Sequence, residues 1–320
     1  MQYVRPMEPM QTGNRGRTLP PSMAAALADR RAEMTRRCTE AAKKTGAKIL
    51  FGMQTSLILQ AIPTPAQCDL DDSVMHTVAT DRGRRIRGRG FHAHVWKAYE
   101  QGAFVRINKY VYALDAAHTW AQISSHVPLE DLIVLADSVI ASSGARGMGN
   151  GDAPMMHGRL FAVVERSGRF TGIRNCRLAL RLCRGGVRSP MESKAYLALM
   201  RYGVPAPETN YVVPGAAFRS GVPMTVDLAW PGQKVAVEYD GDQHRTDRSQ
   251  WRRDQEKREF LRSRGWIVVI VTADDLHDDD ARAQLAFRVG RYLAKRGGKF
   301  DFMLTPMPLG RLAAQCDPRW

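Results

Sequence analysis

The chain has 320 residues, 44% hydrophobic and 25% charged, with 47 Lys and Arg against 32 Asp and Glu, a formal net charge of +15. That is the composition of a folded protein of one large or two ordinary domains, and its positive excess favours polyanionic partners, nucleic acid first. The cysteines Cys38, Cys68, Cys176, Cys183 and Cys316 contain no CxxC pair and support neither a zinc site nor a disulfide framework, which points to a reducing cytoplasm; no apolar run approaches the ~18 residues of a membrane span, and the polar N-terminus lacks the apolar region of a signal peptide.

Residues 1–22 are rich in Pro, Met and Gly and read as a disordered tail. A helix is expected over 23–44, then an apolar stretch over 49–62 that carries a helix at 54–60 and is stopped by Pro63 and Pro65. Short strands are expected at 73–79, 91–96 and 104–114, from their β-branched and aromatic residues. Between the first two lies DRGRRIRGRG, whose arginines Arg82, Arg84, Arg85, Arg87 and Arg89 are interleaved with glycine. That pattern disfavours a helix and suits an extended loop touching phosphates, or a solvated loop with no ligand. Helical periodicity returns over 128–142, entered through Ser124 or Ser125, then after a Gly/Ser/Asn-rich loop (143–155) over 157–167 and 172–184. Arg174, Arg177, Arg181, Arg184 and Arg188 recur at 3, 4, 3, 4; at least the first four share a helical stripe, a row that could track a phosphate backbone or form an ordinary solvated face.

Gly185-Gly186 opens a short linker, and a domain boundary is placed near residue 187, dividing an α+β domain (23–186) from a second domain (187–298) and a tail (299–320). The second domain has the rhythm helix (190–202, Ser189 as N-cap, Pro190 at the first position), strand near 210–213, two hairpin strands, a polar helix (247–264), the apolar strand WIVVIVT and a last helix (278–295). This order makes a small α/β layer with a mixed sheet.

The hairpin holds the chemistry. Period-two alternation over 224–229 and 234–240, with Pro231-Gly232 as the turn, pairs Asp227 with Ala236 and makes Glu238 its diagonal neighbour on one face. Two carboxylates that close repel unless a cation lies between them, and oxygen ligands suit Mg²⁺. The competing readings are a surface-turn Asp227, a Glu238 paired to Lys234 or a helix arginine, a capping-box Glu192, a turn-forming Asp240 and an incidental loop His244.

SPMESKAYLALM, VDLAW, VAVEYDGDQH, LRSRGW and VVIVT in that order resemble the restriction-endonuclease-like PD-(D/E)XK fold, and more narrowly the branch related to very-short-patch repair endonucleases. The resemblance covers about residues 187–277. It implies that Asp227 and Glu238 hold Mg²⁺ (or Mn²⁺) and that Glu192 joins the site from the first helix. The family's third-strand lysine is absent, since Asp240 stands there. His244, just after the strand, and Lys257, on the next helix, are the substitutes, while Arg245 or Arg248 would neutralise the scissile phosphate. More loosely, ILFGMQTSLILQAIPTP, the arginine loop with HAHV, and VPLEDLIVLADSVIAS are similar to AbiEi-type antitoxins. The two resemblances imply either a Mg²⁺-dependent DNA endonuclease or nickase of repair or defence, or a DNA-binding antitoxin or regulator with an inert nuclease-like domain. RNA is a third substrate class that charge and motif leave open. A partner toxin or a second copy of the chain are the implied protein partners, with no membrane.

Overall fold

Apolar residues at strand and helix periods sort into two mixed sheets and ten α-helices in a computed structural model, which describes residues 23–98, 100–144, 152–241 and 248–316. The architecture is α/β. The long helix α1 (Met23–Thr45) leads into β1 (Ile49–Phe51) and α2 (Met53–Leu59). The first sheet adds β2 (Met75–Ala79), β3 (Phe91–Val95), β4 (Phe104–Arg106) and β5 (Val111–Leu114), in the order β3-β2-β1-β5-β4. Four helices follow: α3 (Ala116–Ile123), α4 (Leu129–Gly144), α5 (Asp152–Arg166) and α6 (Ile173–Leu182).

The second sheet opens from α7 (Pro190–Arg201) and comprises β6 (Glu208–Ala217), β7 (Pro223–Trp230), β8 (Val235–Tyr239) and, after α8 (Arg248–Ser263), β9 (Ile267–Val271). Its order is β6-β7-β8-β9, antiparallel except for the β8/β9 pair. The expected mixed sheet and its element order are therefore present. Helices α9 (Asp279–Lys295) and α10 (Leu309–Gln315) close the chain.

One buried cluster runs from Met53 through Trp120, Leu132 and Leu135 to Leu199, Val237, Val271 and Ala313. Polar links cross the same junction: Asp137 on α4 accepts from the Arg184 backbone N–H (2.6 Å), and Glu130 on α4 meets Arg282 on α9 at 2.9 Å. The two sheets thus stand on a shared helical layer. Trp230, at the end of β7, packs into this cluster, its indole N–H donating to the Pro205 carbonyl at 2.9 Å.

Several elements differ from the sequence reading. The stretch 49–62 holds the expected helix, at Met53–Leu59, but a short strand precedes it, and between them lies Gly52, where a Cβ would collide with Val78 and Gln122. The run 104–114 is two strands, folded back where the Asn108 side chain accepts from the Tyr110 and Val111 N–H groups. Helix α3 was not expected: all eight of its residues are buried, so it has no polar face to create a period. Its cap is Asp115, and Ser124 ends it rather than starting α4, which begins behind Pro128. Helix α5 starts at Asp152, shortening the expected loop. Within the presumed tail, α10 buries Leu312 and Ala313.

Candidate functional site

The β7–β8 turn takes four residues, Pro231 to Lys234, with Lys234 at φ 48°. The register is Trp230↔Val235, Ala229↔Ala236 and Leu228↔Val237. Continued by one pair, it sets Asp227 across from Glu238, replacing the expected Asp227–Ala236 pairing. The carboxylates are direct cross-strand neighbours rather than diagonal ones, ~5 Å apart at Cβ. Leu228, Trp230, Val235 and Val237 join the main core, whereas Ala229 and Ala236 cluster with Leu261 of α8. Alternation then directs Asp227 and Glu238 to the α8 side.

Glu192 reaches the same place from the first turn of α7. Ser189 caps that helix by accepting from the Glu192 N–H, and Glu192 Oε2 accepts from the Arg188 N–H at 2.8 Å. The capping reading of Glu192 is correct as far as it goes, but the side chain is buried and also senses Asp227. Burial, then the Asp227 charge, pushes its carboxyl up to about 7. Glu238, 6% exposed, is likewise raised by burial, pulled back by Lys257 and raised again by Asp227. Asp227 is therefore the charge that couples the other two, and its Oδ2 accepts from the Tyr239 N–H at 2.8 Å.

The cation is Lys257, from α8. Its Nζ lies 2.6 Å from Glu238 Oε1 and donates to the Thr225 carbonyl at 3.1 Å. Lys234 is not the partner of Glu238, since its Nζ donates to the Arg264 carbonyl, and among the described residues Arg258 adds only a smaller charge interaction. Asp240, expected among the catalytic residues, is held by Arg258 at 3.0 Å. His244 and Arg245 lie outside the described residues. Arg248 begins α8, and its side chain is also outside them.

The arginine loop joins β2 to β3, and Arg82, Arg84, Arg85, Arg87 and Arg89 are all exposed. The second arginine set is not a single row. Arg174, Arg177 and Arg188 are exposed, Arg177 beside Glu165 at 3.3 Å. Arg181 reaches the Ala313 carbonyl of α10 (3.5 Å), and Arg184, beyond the end of α6, turns to the Tyr196 hydroxyl (3.1 Å). Spacing could not show this, because α6 ends at Leu182.

Sequence reasoning missed two members of the neighbourhood. Arg258 carried no signal beyond its charge. Asp137, in a buried helix of the other half, has its carboxyl pushed up to about 7, by burial first and in smaller part by Glu192. No helix among the described residues is long and apolar enough to cross a membrane.

Two curated proteins are similar to part of the chain: uncharacterized proteins of Mycobacterium tuberculosis, one from strain H37Rv and one from strain CDC 1551. Each is 34% identical over 132 residues, 41% of this chain and 46% of the relative. The chain thus spans about half the length of the curated relatives it matches. No family model matches the chain. No solved structure matches it.

Proposed function

We propose that the second sheet carries a Mg²⁺-dependent phosphodiesterase centre and that the protein is a DNA endonuclease or nickase. The observation that carries this reading is the meeting of Glu192, Asp227 and Glu238, from α7, β7 and β8, with the ammonium of Lys257 from α8. The donors are all carboxylate oxygens, which fit a hard cation, and their mutual repulsion through Asp227 is what such a cation relieves. Asp227 and Glu238 would hold Mg²⁺ or Mn²⁺, which would supply a bound water of lowered pKa and a Lewis acid for the phosphoryl oxygens.

The chain's own groups have distinct parts. Lys257 takes the place of the strand lysine that Asp240 displaces, presenting its charge from the facing helix to a phosphate. Arg258 neutralises Asp240 and keeps a fourth uncompensated carboxylate out of the cluster. Glu192, poised near neutrality, can hold or release a proton during hydrolysis. His244 stays a candidate general base, with Arg245 and Arg248 as phosphate partners. The exposed arginines of the 82–89 loop, with Arg174, Arg177 and Arg188, supply sequence-independent backbone contacts. This reading carries with it the nuclease-like assignment of residues 187–298 and the antitoxin-like assignment of 23–186.

The test is plasmid cleavage with Mg²⁺ by the wild type, Asp227→Ala and Glu238→Ala, beside an RNA substrate of matched length. Nicked or linear DNA from the wild type alone is the expected result. Equal cleavage by all three would remove these residues from the site. A second reading, a DNA-binding regulator with an inert second domain, is favoured by Asp240 at the lysine position and by its tie to Arg258. It predicts salt-dependent binding without cutting by any form.

A further inference from the structure

Four of the eight histidines, His76, His92, His94 and His126, gather at one corner of the first sheet. Strands β2 and β3 are parallel, with His76 paired to His92 and Val78 to His94. His92 and His94, two residues apart, share a face, and their rings stack at 4.5 Å. The ligand nitrogens of His76, His92 and His94 all lie within 4.8 Å of one another. Around a tetrahedral ion with bonds of about 2.05 Å, ligand nitrogens stand about 3.3 Å apart. The three rings therefore need only small rotations to meet one ion.

Their hydrogen bonds orient them for it. His76 is fully buried, and its Nε2 lies 2.9 Å from the Asp71 carbonyl oxygen. A carbonyl only accepts, so Nε2 carries the hydrogen, and in the neutral ring Nδ1 keeps its lone pair. That Nδ1 faces His94 Nε2 at 2.9 Å. At the rim, His126 Nδ1 sits 2.7 Å from Asp69 Oδ1, and its ring is 6.3 Å from that of His94. A backbone carbonyl or carboxylate fixing one ring nitrogen while the other points inward is the usual outer-shell arrangement of metal-bound histidine. A single His76–His94 hydrogen bond would account for two of the rings but not for His92, whose ligand nitrogen falls in the same small volume.

We propose that His76, His92 and His94 bind one divalent transition metal, Zn²⁺ by its preference for imidazole, with His126 or a water in the fourth position. The site stands apart from the carboxylate cluster and does not depend on its assignment. It borders an open pocket of about 510 Å³ lined by Asp71, Arg85, Arg87, Phe91 and His92. Because the arginine loop runs into β3 just before His92, a bound ion would tie that end of the loop to β2.

The test uses the full chain, stripped with a chelator and dialysed, then titrated with Zn²⁺ against a chromophoric competitor and separately with Co²⁺. One equivalent of Zn²⁺ is expected to bind at micromolar concentration or below, and Co²⁺ to give a tetrahedral visible spectrum without a thiolate charge-transfer band. His92→Ala and His94→Ala should each weaken binding at least about 100-fold, and Asp69→Ala about 10-fold. Exposed His92 is the position where truncation disturbs folding least, so it decides if the His94 variant misfolds. Asp227→Ala should leave Zn²⁺ binding unchanged. Absence of uptake by the wild type, uptake unaltered in His92→Ala, or a thiolate band in the Co²⁺ form would overturn the proposal.

Discussion

The two sheets build their polar corners by the same device and reach opposite chemistry. In the second sheet, antiparallel β7 and β8 set Asp227 across from Glu238, and Glu192 joins from a helix start. In the first, parallel β2 and β3 set His76 across from His92, with His94 two residues on. Burial first, and then the charge of Asp227, raises the carboxyls of Glu192 and Glu238. Burial pushes His94 down to about 3 and lowers His76 as well, so these two imidazoles stay neutral and offer lone pairs instead. In the proposed reading, one corner would take a hard cation that relieves repulsion, and the other would offer nitrogen donors to a softer one. Placing like side chains on adjacent strands thus makes two kinds of pocket, and the titration of the side chain decides which.

The proposed division of labour can be broken at several points. Asp227→Ala or Glu238→Ala should cut Mg²⁺-dependent cleavage by about 10³-fold, a loss of about 4 kcal/mol of transition-state stabilisation, while His94→Ala leaves it within a few-fold. Initial rates of plasmid nicking check both. Lys257→Ala should cost about 10²-fold in the same assay. It should also lower stability by about 3 kcal/mol in urea melts, because buried Glu238 loses its ion-pair partner. Replacing the five loop arginines by alanine should flatten the salt dependence of DNA binding, by up to about 0.9 in log–log slope for each phosphate that is no longer neutralised. Arg184→Ala should affect folding instead, since that side chain is spent on Tyr196.

The smallest effect is in pH. Folded Glu192 titrates near 7 against an ordinary 4.5, so between those values the folded chain holds a proton that the unfolded chain has lost. Stability must therefore fall as pH rises through that window. Asp137, raised from 3.8 to about 7, acts in the same direction. Glu192→Gln should reduce, though not abolish, the drop in urea midpoint between pH 5 and pH 7.5.

The second sheet was legible because its hairpin strands alternate, its last strand is a continuous apolar run, and its helices carry their own signals, Ser189-Pro190 before α7 and Gly265 after α8. The hairpin register was not, since a Pro-Gly pair suggests a two-residue turn and only the backbone at Lys234 reveals four. The assignment of Lys257 was legible only weakly: on a polar helix nothing in the pattern says which cation faces the sheet. Helix α3 was invisible because burial on every side removes periodicity. The histidine corner had a local trace in HAHV, a strand pattern placing two rings on one face. Its third member, His76, is sixteen positions earlier and becomes a neighbour only through the parallel pairing of β2 with β3.

The most direct test of the carboxylate centre is a crystal structure of the protein soaked in Mn²⁺, with the ion located by anomalous scattering. Mn²⁺ bound between Asp227 and Glu238, with Lys257 displaced from Glu238 Oε1 or turned beside the ion, is the predicted result. Carboxylates free of metal at high Mn²⁺ concentration, with Lys257 still seated on Glu238, would contradict it.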